Sequence, residues 1–249
     1  VVTRFSHKMT QKPLSGRVLE GGTVSCYATL QMERNMQKRF DNVSGSKTFQ
    51  HIVRAFQLDA KSVLDIGCSF GEFLAHFGPG SVGISISTTE IASGKENALD
   101  IRLGNVEDKT FQLQETFDVI FANNIFEHLY SPHAFLVKIK PMLKPGGILI
   151  LGVPCIPKIV SLTNIRKFRG AFAEQHINFF TRDTLINTAI RAGWTPSQTR
   201  GFRFANRFVD ALLDPIYPHF YLVATPTEGF AYTDKRMREL AGYTTNTQK

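Results

Sequence analysis

Five short apolar runs, Ser62 to Ile66, Val82 to Ile86, Ile101 to Leu103, Phe117 to Ala122 and Ile148 to Val153, follow one another along the middle of the chain with helical stretches between them. Each is rich in Val, Ile, Leu or Phe and is bounded by Gly, Asn or Pro, as buried strands are. Runs of that kind joined by crossover helices build a parallel sheet covered on both faces, so the class is α/β. Helices are expected after Gly71, after Thr88, and from Pro132 to Leu143, where Ser131 reads as an N-cap with proline at the first helical position. A further helix from Asp183 to Ala192, stopped by Gly193, strands near Thr195 to Thr199 and Phe220 to Ala224, and a helix from Thr233 to Ala241 complete the layout.

Composition narrows the setting. The 249 residues are 43% hydrophobic, ample for a core and incompatible with disorder of the bulk. Cys26, Cys68 and Cys155 are odd in number and lack C-x-x-C spacing, which argues for a reducing compartment, against a disulfide framework and against a zinc site, so no metal is expected. The longest apolar stretch, Gly147 to Pro157, falls short of the roughly 20 residues of a membrane span. Residues 1 to 12 lack the apolar segment of a signal peptide. A cytoplasmic protein without a membrane span is the expectation. The formal charge of +8 is unevenly placed: residues 1–60 are net +5, 61–157 net −3, 158–207 net +7 and 208–249 net −1. Basic charge therefore flanks the first five strands.

The first strand runs into Asp65-Ile66-Gly67-Cys68-Ser69-Phe70-Gly71-Glu72, a tight turn that opens a helix. Glycines there admit positive φ and let a ligand approach the backbone. A dinucleotide fingerprint would need G-x-G-x-x-G with an acid about 20 residues on. Ser69 and Glu72 stand where its second and third glycines would fall, and Ser85 where the acid would be, so a nicotinamide cofactor loses ground.

With its neighbours this loop resembles the nucleotide-binding motif of class I S-adenosylmethionine-dependent methyltransferases of the small-molecule type, an acid followed by glycines two, four and six residues later. Asp65, Gly67 and Gly71 match, and Ser69 is a small-residue variant. The similarity continues in order through Val82 to Ser87, Leu103 to Asp108, Phe117 to Ile120 with Glu127-His128-Leu129, Leu143 to Gly147, and Glu174 to Thr181. It implies a doubly wound, Rossmann-like, seven-stranded and mostly parallel sheet with an antiparallel last strand, N-terminal helices, and a cap segment after strand five. The implied domains are an N-terminal helical cap segment at 1–60, a methyltransferase domain at 61–226 with substrate-side insertions at 158–181 and 200–219, and a tail at 227–249.

The resemblance also implies S-adenosylmethionine as cofactor, S-adenosylhomocysteine as product, and cofactor contacts from Asp65, Gly67, Cys68, Ser69, Gly71, Ser85, Ile86, Asn105, Val106 and Asn123. Most members carry acids at the positions of Ser85 and Asn105, the first accepting both ribose hydroxyls and the second the adenine amino group. Ser and Asn keep neutral acceptors there and lose charge-assisted bonds. Restoring an acid by Ser85→Asp is therefore expected to tighten cofactor binding, and Gly67→Val to abolish it by filling the ligand's space.

His128 and His176 lie within the matched segments and are the candidates for a catalytic base; imidazole titrates near the working pH. The competing reading is that Glu127, His128 and His176 only tie loops together. Arg166, Lys167 and Arg169 are the candidate substrate-binding residues, with Arg34, Lys38 and Arg39 next, because a basic roof would hold an anionic small-molecule acceptor. Transfer to oxygen is slightly favoured over nitrogen or carbon. An RNA methyltransferase remains an alternative on the basic charge, although residues 123 to 126 read Asn-Asn-Ile-Phe and not a base-amine motif. A non-catalytic methyltransferase-like binding module is the other alternative.

Overall fold

The computed structural model describes residues 34–157, 176–200, 208, 212–213 and 216–240. The chain divides into two compact units, Val1–Lys38 and Arg39–Lys249. Of the first, residues 34–38 are described and are helical.

The second unit begins with helical residues 39–44 (α1), followed by α2 (Lys47–Phe56), whose N-cap Ser46 accepts from the Phe49 backbone N–H at 3.3 Å. Then come β1 (Val63–Ile66), β2 (Val82–Ser85), α3 (Thr88–Glu96), β3 (Ile101–Leu103), β4 (Phe117–Asn123), α4 (Pro132–Lys138) and β5 (Leu143–Pro154). The chain closes with α5 (Arg182–Arg191), β6 (Trp194–Arg200), β7 (His219–Pro226) and α6 (Asp234–Leu240). The seven strands form one sheet in the order β3-β2-β1-β4-β5-β7-β6. Strands β1 to β5 pair in parallel, and β7 runs antiparallel to both β5 and β6.

The pleat sends successive side chains to opposite faces. Val119 and Phe121 of β4 join Phe49, Ile52 and Val53 of α2 in one core. Ile120 and Ala122 join Phe135 and Leu136 of α4 and Leu185 and Ala189 of α5 in the other. Trp194, at the start of β6, is fully buried and donates its indole N–H to the Leu136 carbonyl at 2.9 Å, fixing α4 to the sheet edge. Because the strand order reverses between β1 and β4, the chain leaves the carboxyl ends of these neighbours in opposite directions, which opens a crevice there.

Two elements depart from the sequence reading. No α-helix follows Gly71; only a 3₁₀ turn, Leu74–His76, fits before Gly78-Pro79-Gly80 reverses the chain. Gly78 donates to the Leu58 carbonyl at 2.8 Å and lies so close to Lys61 that a Cβ would stand 2.6 Å from its nitrogen, so the segment has no length in which to wind further. The helix expected to reach Leu143 ends at Lys138 and gives way to a 3₁₀ turn, Lys140–Met142. Pro141 accounts for this: it lacks an N–H and its ring crowds the carbonyl four residues back. Among the described residues no helix is long and apolar enough to cross a membrane.

Candidate active site

At the carboxyl ends of β1, β2 and β3 lies a cavity of about 260 Å³. Gly67, Ser69, Ser85, Ile86, Asn105 and Val106 line it, and so do Glu90, Glu107, Ile125 and His128. The first six are residues that the sequence assigns to cofactor contact. Gly67 has φ 74° and Ser69 φ 51°, a left-handed conformation that a serine adopts at some cost in strain and that explains why glycine suits its position. Ser69 is held there by two bonds, accepting from Arg39 Nη2 at 2.9 Å and donating to Glu90 Oε1 at 3.1 Å. A Cβ on Gly67 would stand 2.6 Å from Ile125 Cδ1, so the bulk introduced by Gly67→Val first meets the protein's own side chain and not only the ligand. Gly67→Ala is accordingly expected to displace Ile125 and reduce cofactor affinity at least tenfold with the sheet intact, as calorimetry and circular dichroism would report. Unchanged affinity would remove the turn from the site.

A carboxylate from the next helix, that of Glu90, stands near the end of β2. Ser87 caps α3 and Glu90 is its third residue, the spacing of a capping box, in which the acid normally reaches back to the cap's own N–H. Here the Ser87 N–H is already taken by Ser85 Oγ at 2.9 Å. Glu90 instead turns to the cavity, where Ser85 Oγ donates to its Oε2. Sequence reasoning missed Glu90, although the Ser85-x-Ser87-x-x-Glu90 spacing carries the signal.

Asp65 and Glu72 are buried beside the turn, 2% and 5% exposed, and Asp65 Oδ2 and Glu72 Oε2 have no hydrogen-bond partner among the described residues. Glu72 Oε1 accepts from Arg39 Nε at 2.9 Å. Burial, reinforced by the neighbouring Glu72, holds the Asp65 carboxyl well above the usual carboxylate range. Asn105 exposes its side chain at the cavity, but its Oδ1 accepts from the Glu107 N–H at 3.0 Å, so the oxygen expected to take an adenine amino group is engaged in its own turn. Asp65 and three further assigned residues do not line the cavity. The Cys68 thiol packs into the core against Gly83 and Leu74, and burial raises its pKa. Gly71 abuts Leu99, and Asn123 presses its Oδ1 toward Gly152.

On the side of β4, the 3₁₀ turn Phe126–His128 buries Glu127, 1% exposed, while its backbone carbonyl accepts from the N–H groups of Ile177 and Asn178 at 3.1 and 3.0 Å. That docking brings His176 to His128, ring centroids 4.8 Å apart and edge-on. Both Nε2 atoms lie 3.7 Å from Glu127 Oε1. Burial raises the Glu127 carboxyl, against the opposing pull of the two imidazoles. The two candidate histidines are thus joined through one carboxylate, and His128 reaches the cavity. Arg166, Lys167 and Arg169 lie outside the described residues. Arg34 and Lys38 are exposed, and Arg39 braces the glycine turn.

Residues 30–199, more than half of the chain, match the family described as a methyltransferase domain. The ubiquinone biosynthesis O-methyltransferase of Bradyrhizobium diazoefficiens is 32% identical over 115 residues, covering 42% of this chain and 45% of that protein. The protein of the same name from Rhodopseudomonas palustris strain TIE-1 is 34% identical over 113 residues, covering 39% and 45%. This chain therefore matches less than half the length of these curated relatives. Among solved structures, an S-adenosylmethionine-dependent methyltransferase from Mesorhizobium loti superposes with a TM-score of 0.54 at 15% identity, covering 73% of this chain and 99% of that one. A TehB-like S-adenosylmethionine-dependent methyltransferase from Corynebacterium glutamicum does so with a TM-score of 0.53 at 16% identity, covering 80% and 100%. The two structures bear on the fold, whereas the family match spans the glycine turn, the five parallel strands and the Glu127 to His176 junction. The chain belongs to the class I S-adenosylmethionine-dependent methyltransferases.

Proposed function

We propose that this chain transfers the methyl group of S-adenosylmethionine to an oxygen of a small anionic acceptor. The observation that carries the reading is a pair of carboxylates: Asp65, buried at the end of β1 with an oxygen unpartnered among the described residues, and Glu90, which lines the cavity and is held by Ser69 and Ser85. A ligand with a cationic amino-acid end and a ribose diol suits that set, with Asp65 toward the ammonium group and Glu90 accepting from the hydroxyls. Ile86, 75% exposed at the cavity, offers an apolar face to a flat base.

The cofactor supplies a methyl carbon activated by a sulfonium, so one bond forms from the acceptor oxygen to that carbon as the carbon–sulfur bond breaks and leaves its electron pair on sulfur. The protein's part is to align the oxygen, exclude water and dispose of the proton. Our candidates to take that proton are His128, which lines the cavity, and His176 beside it. The relatives named for O-methylation support oxygen as the acceptor atom, and the net +7 of residues 158–207 supports an anionic acceptor held by Arg166, Lys167 and Arg169. Cys68 and Cys155 are free, buried thiols, which supports a cytoplasmic setting.

The test is transfer of isotopically labelled methyl to a panel of phenols and catechols with and without a carboxylate or phosphate. Label is expected in the anionic members, with KM raised by charge reversal at Arg166 and Arg169. Preference for neutral acceptors, or transfer to amines alone, would contradict the reading.

A further inference from the structure

The cluster that joins His128 to His176 is more than a tie between loops. Glu127 is buried to 1% exposure, yet neither carboxylate oxygen has a hydrogen-bond partner among the described residues. A buried carboxylate left so is costly unless a positive charge completes it. What faces it is one ring nitrogen from each of two imidazoles, both 3.7 Å from Oε1, and the three potential ligand atoms all lie within 4.8 Å of one another.

We propose that Glu127 Oε1, His128 Nε2 and His176 Nε2 form a binding site for a divalent transition-metal cation, zinc or one of its neighbours, at the edge of the cofactor cavity. Two imidazoles and one carboxylate are a borderline donor set that suits these cations and not magnesium or calcium, which prefer oxygen. Bonds of about 2.0–2.2 Å around a tetrahedral zinc place its ligand atoms roughly 3.4 Å apart. The carboxylate–imidazole spacings of 3.7 Å need a few tenths of an ångström of closure, and a spacing of 4.8 Å needs about 1.4 Å, within reach of side-chain rotation at His128, whose side chain is 37% exposed. The backbone of the site is already fixed, since the Glu127 carbonyl holds Ile177 and Asn178, and Asn178 Nδ2 also donates to the Leu129 carbonyl at 2.6 Å. Three protein ligands leave a coordination position open, the arrangement of catalytic sites, and His128 lines the cavity. An acceptor hydroxyl bound there would be acidified by the cation and lose its proton to water, its oxygen kept in line with the methyl carbon.

This inference rests on the proposed methyl transfer and deepens it: the imidazoles act on the acceptor oxygen through a cation and not by taking its proton. The experiment titrates the metal-stripped full chain with Co²⁺, followed by visible absorption and calorimetry, then displaces it with Zn²⁺. One equivalent with a ligand-field spectrum distinct from the aqueous ion is expected, and at least about tenfold weaker binding in Glu127→Gln and in His128→Gln. His128→Gln alters a partly exposed side chain, and circular dichroism with cofactor titration of the metal-free variants shows whether each has folded. An unaltered aqueous spectrum in the parent, or equal Co²⁺ binding in both folded variants, overturns the site. Cofactor binding and methyl transfer that persist in that event leave the proposed function standing with histidine as base, so the two readings fail separately.

Discussion

Replacing Asp65 by Asn is expected to raise the melting temperature of the unliganded protein and to remove most of the stabilisation that S-adenosylmethionine confers. The carboxyl is buried with one oxygen unpartnered and Glu72 nearby, which holds its pKa well above the usual range in the fold. The folded state therefore binds this proton more tightly than the unfolded chain. Stability contributed by the group falls as pH rises from the ordinary carboxylate range to the raised folded value. Asn keeps the shape and removes the charge. Toward the cofactor's ammonium group the sign reverses, because a charge-assisted bond of about 1.5–3 kcal/mol is lost, roughly one to two orders of magnitude in affinity. Thermal unfolding with and without cofactor measures both effects. A lower melting temperature in the unliganded variant together with an undiminished cofactor shift would show that Asp65 only supports the turn.

The second large effect concerns the end of β2, where the structure reverses what the sequence suggests. Ser85→Asp, expected from the family pattern to restore a ribose acceptor, would set a second carboxylate against Glu90, whose Oε2 now accepts from Ser85 Oγ. Weaker cofactor binding is predicted for Ser85→Asp, by about the 1.5–3 kcal/mol of a bond to a charged group, and a similar loss for Glu90→Gln. Moving the charge and not doubling it, by Ser85→Asp with Glu90→Ser, is expected to recover affinity to within about tenfold of the parent. Calorimetry on Ser85→Asp, Glu90→Ser and the double variant closes a cycle with a signed outcome. Tighter binding in Ser85→Asp alone would mean that Glu90 does not face the ribose.

How far the sequence carries the structure differs by residue. The parallel strands were legible because continuous apolar runs bounded by Gly, Asn and Pro have few other uses, and the glycine turn because Asp65, Gly67 and Gly71 keep its spacing. The helix after Gly71 was misread because the crossover between two parallel strands is usually helical, whereas the Gly-Pro-Gly turn at residues 78–80 forecloses it here. Attention to the strand end alone picked out Ser85 and passed over Glu90, which reaches the same cavity from the first turn of α3. Glu127 and His176 stand far apart in sequence and meet only through a backbone docking that no local pattern announces. Past His176, Phe180 stacks on Phe126 at 5.0 Å as a core residue, while Phe179 is half exposed.

The account stands on the cavity between the glycine turn and Glu90 being the cofactor site. Calorimetric titration of the full chain with S-adenosylmethionine and with S-adenosylhomocysteine tests this most directly. One equivalent of each is predicted to bind, S-adenosylhomocysteine included because it keeps the ammonium group and the ribose diol, with affinity lost in Asp65→Asn and in Glu90→Gln. Absence of heat for both ligands, or binding that neither substitution weakens, would contradict it.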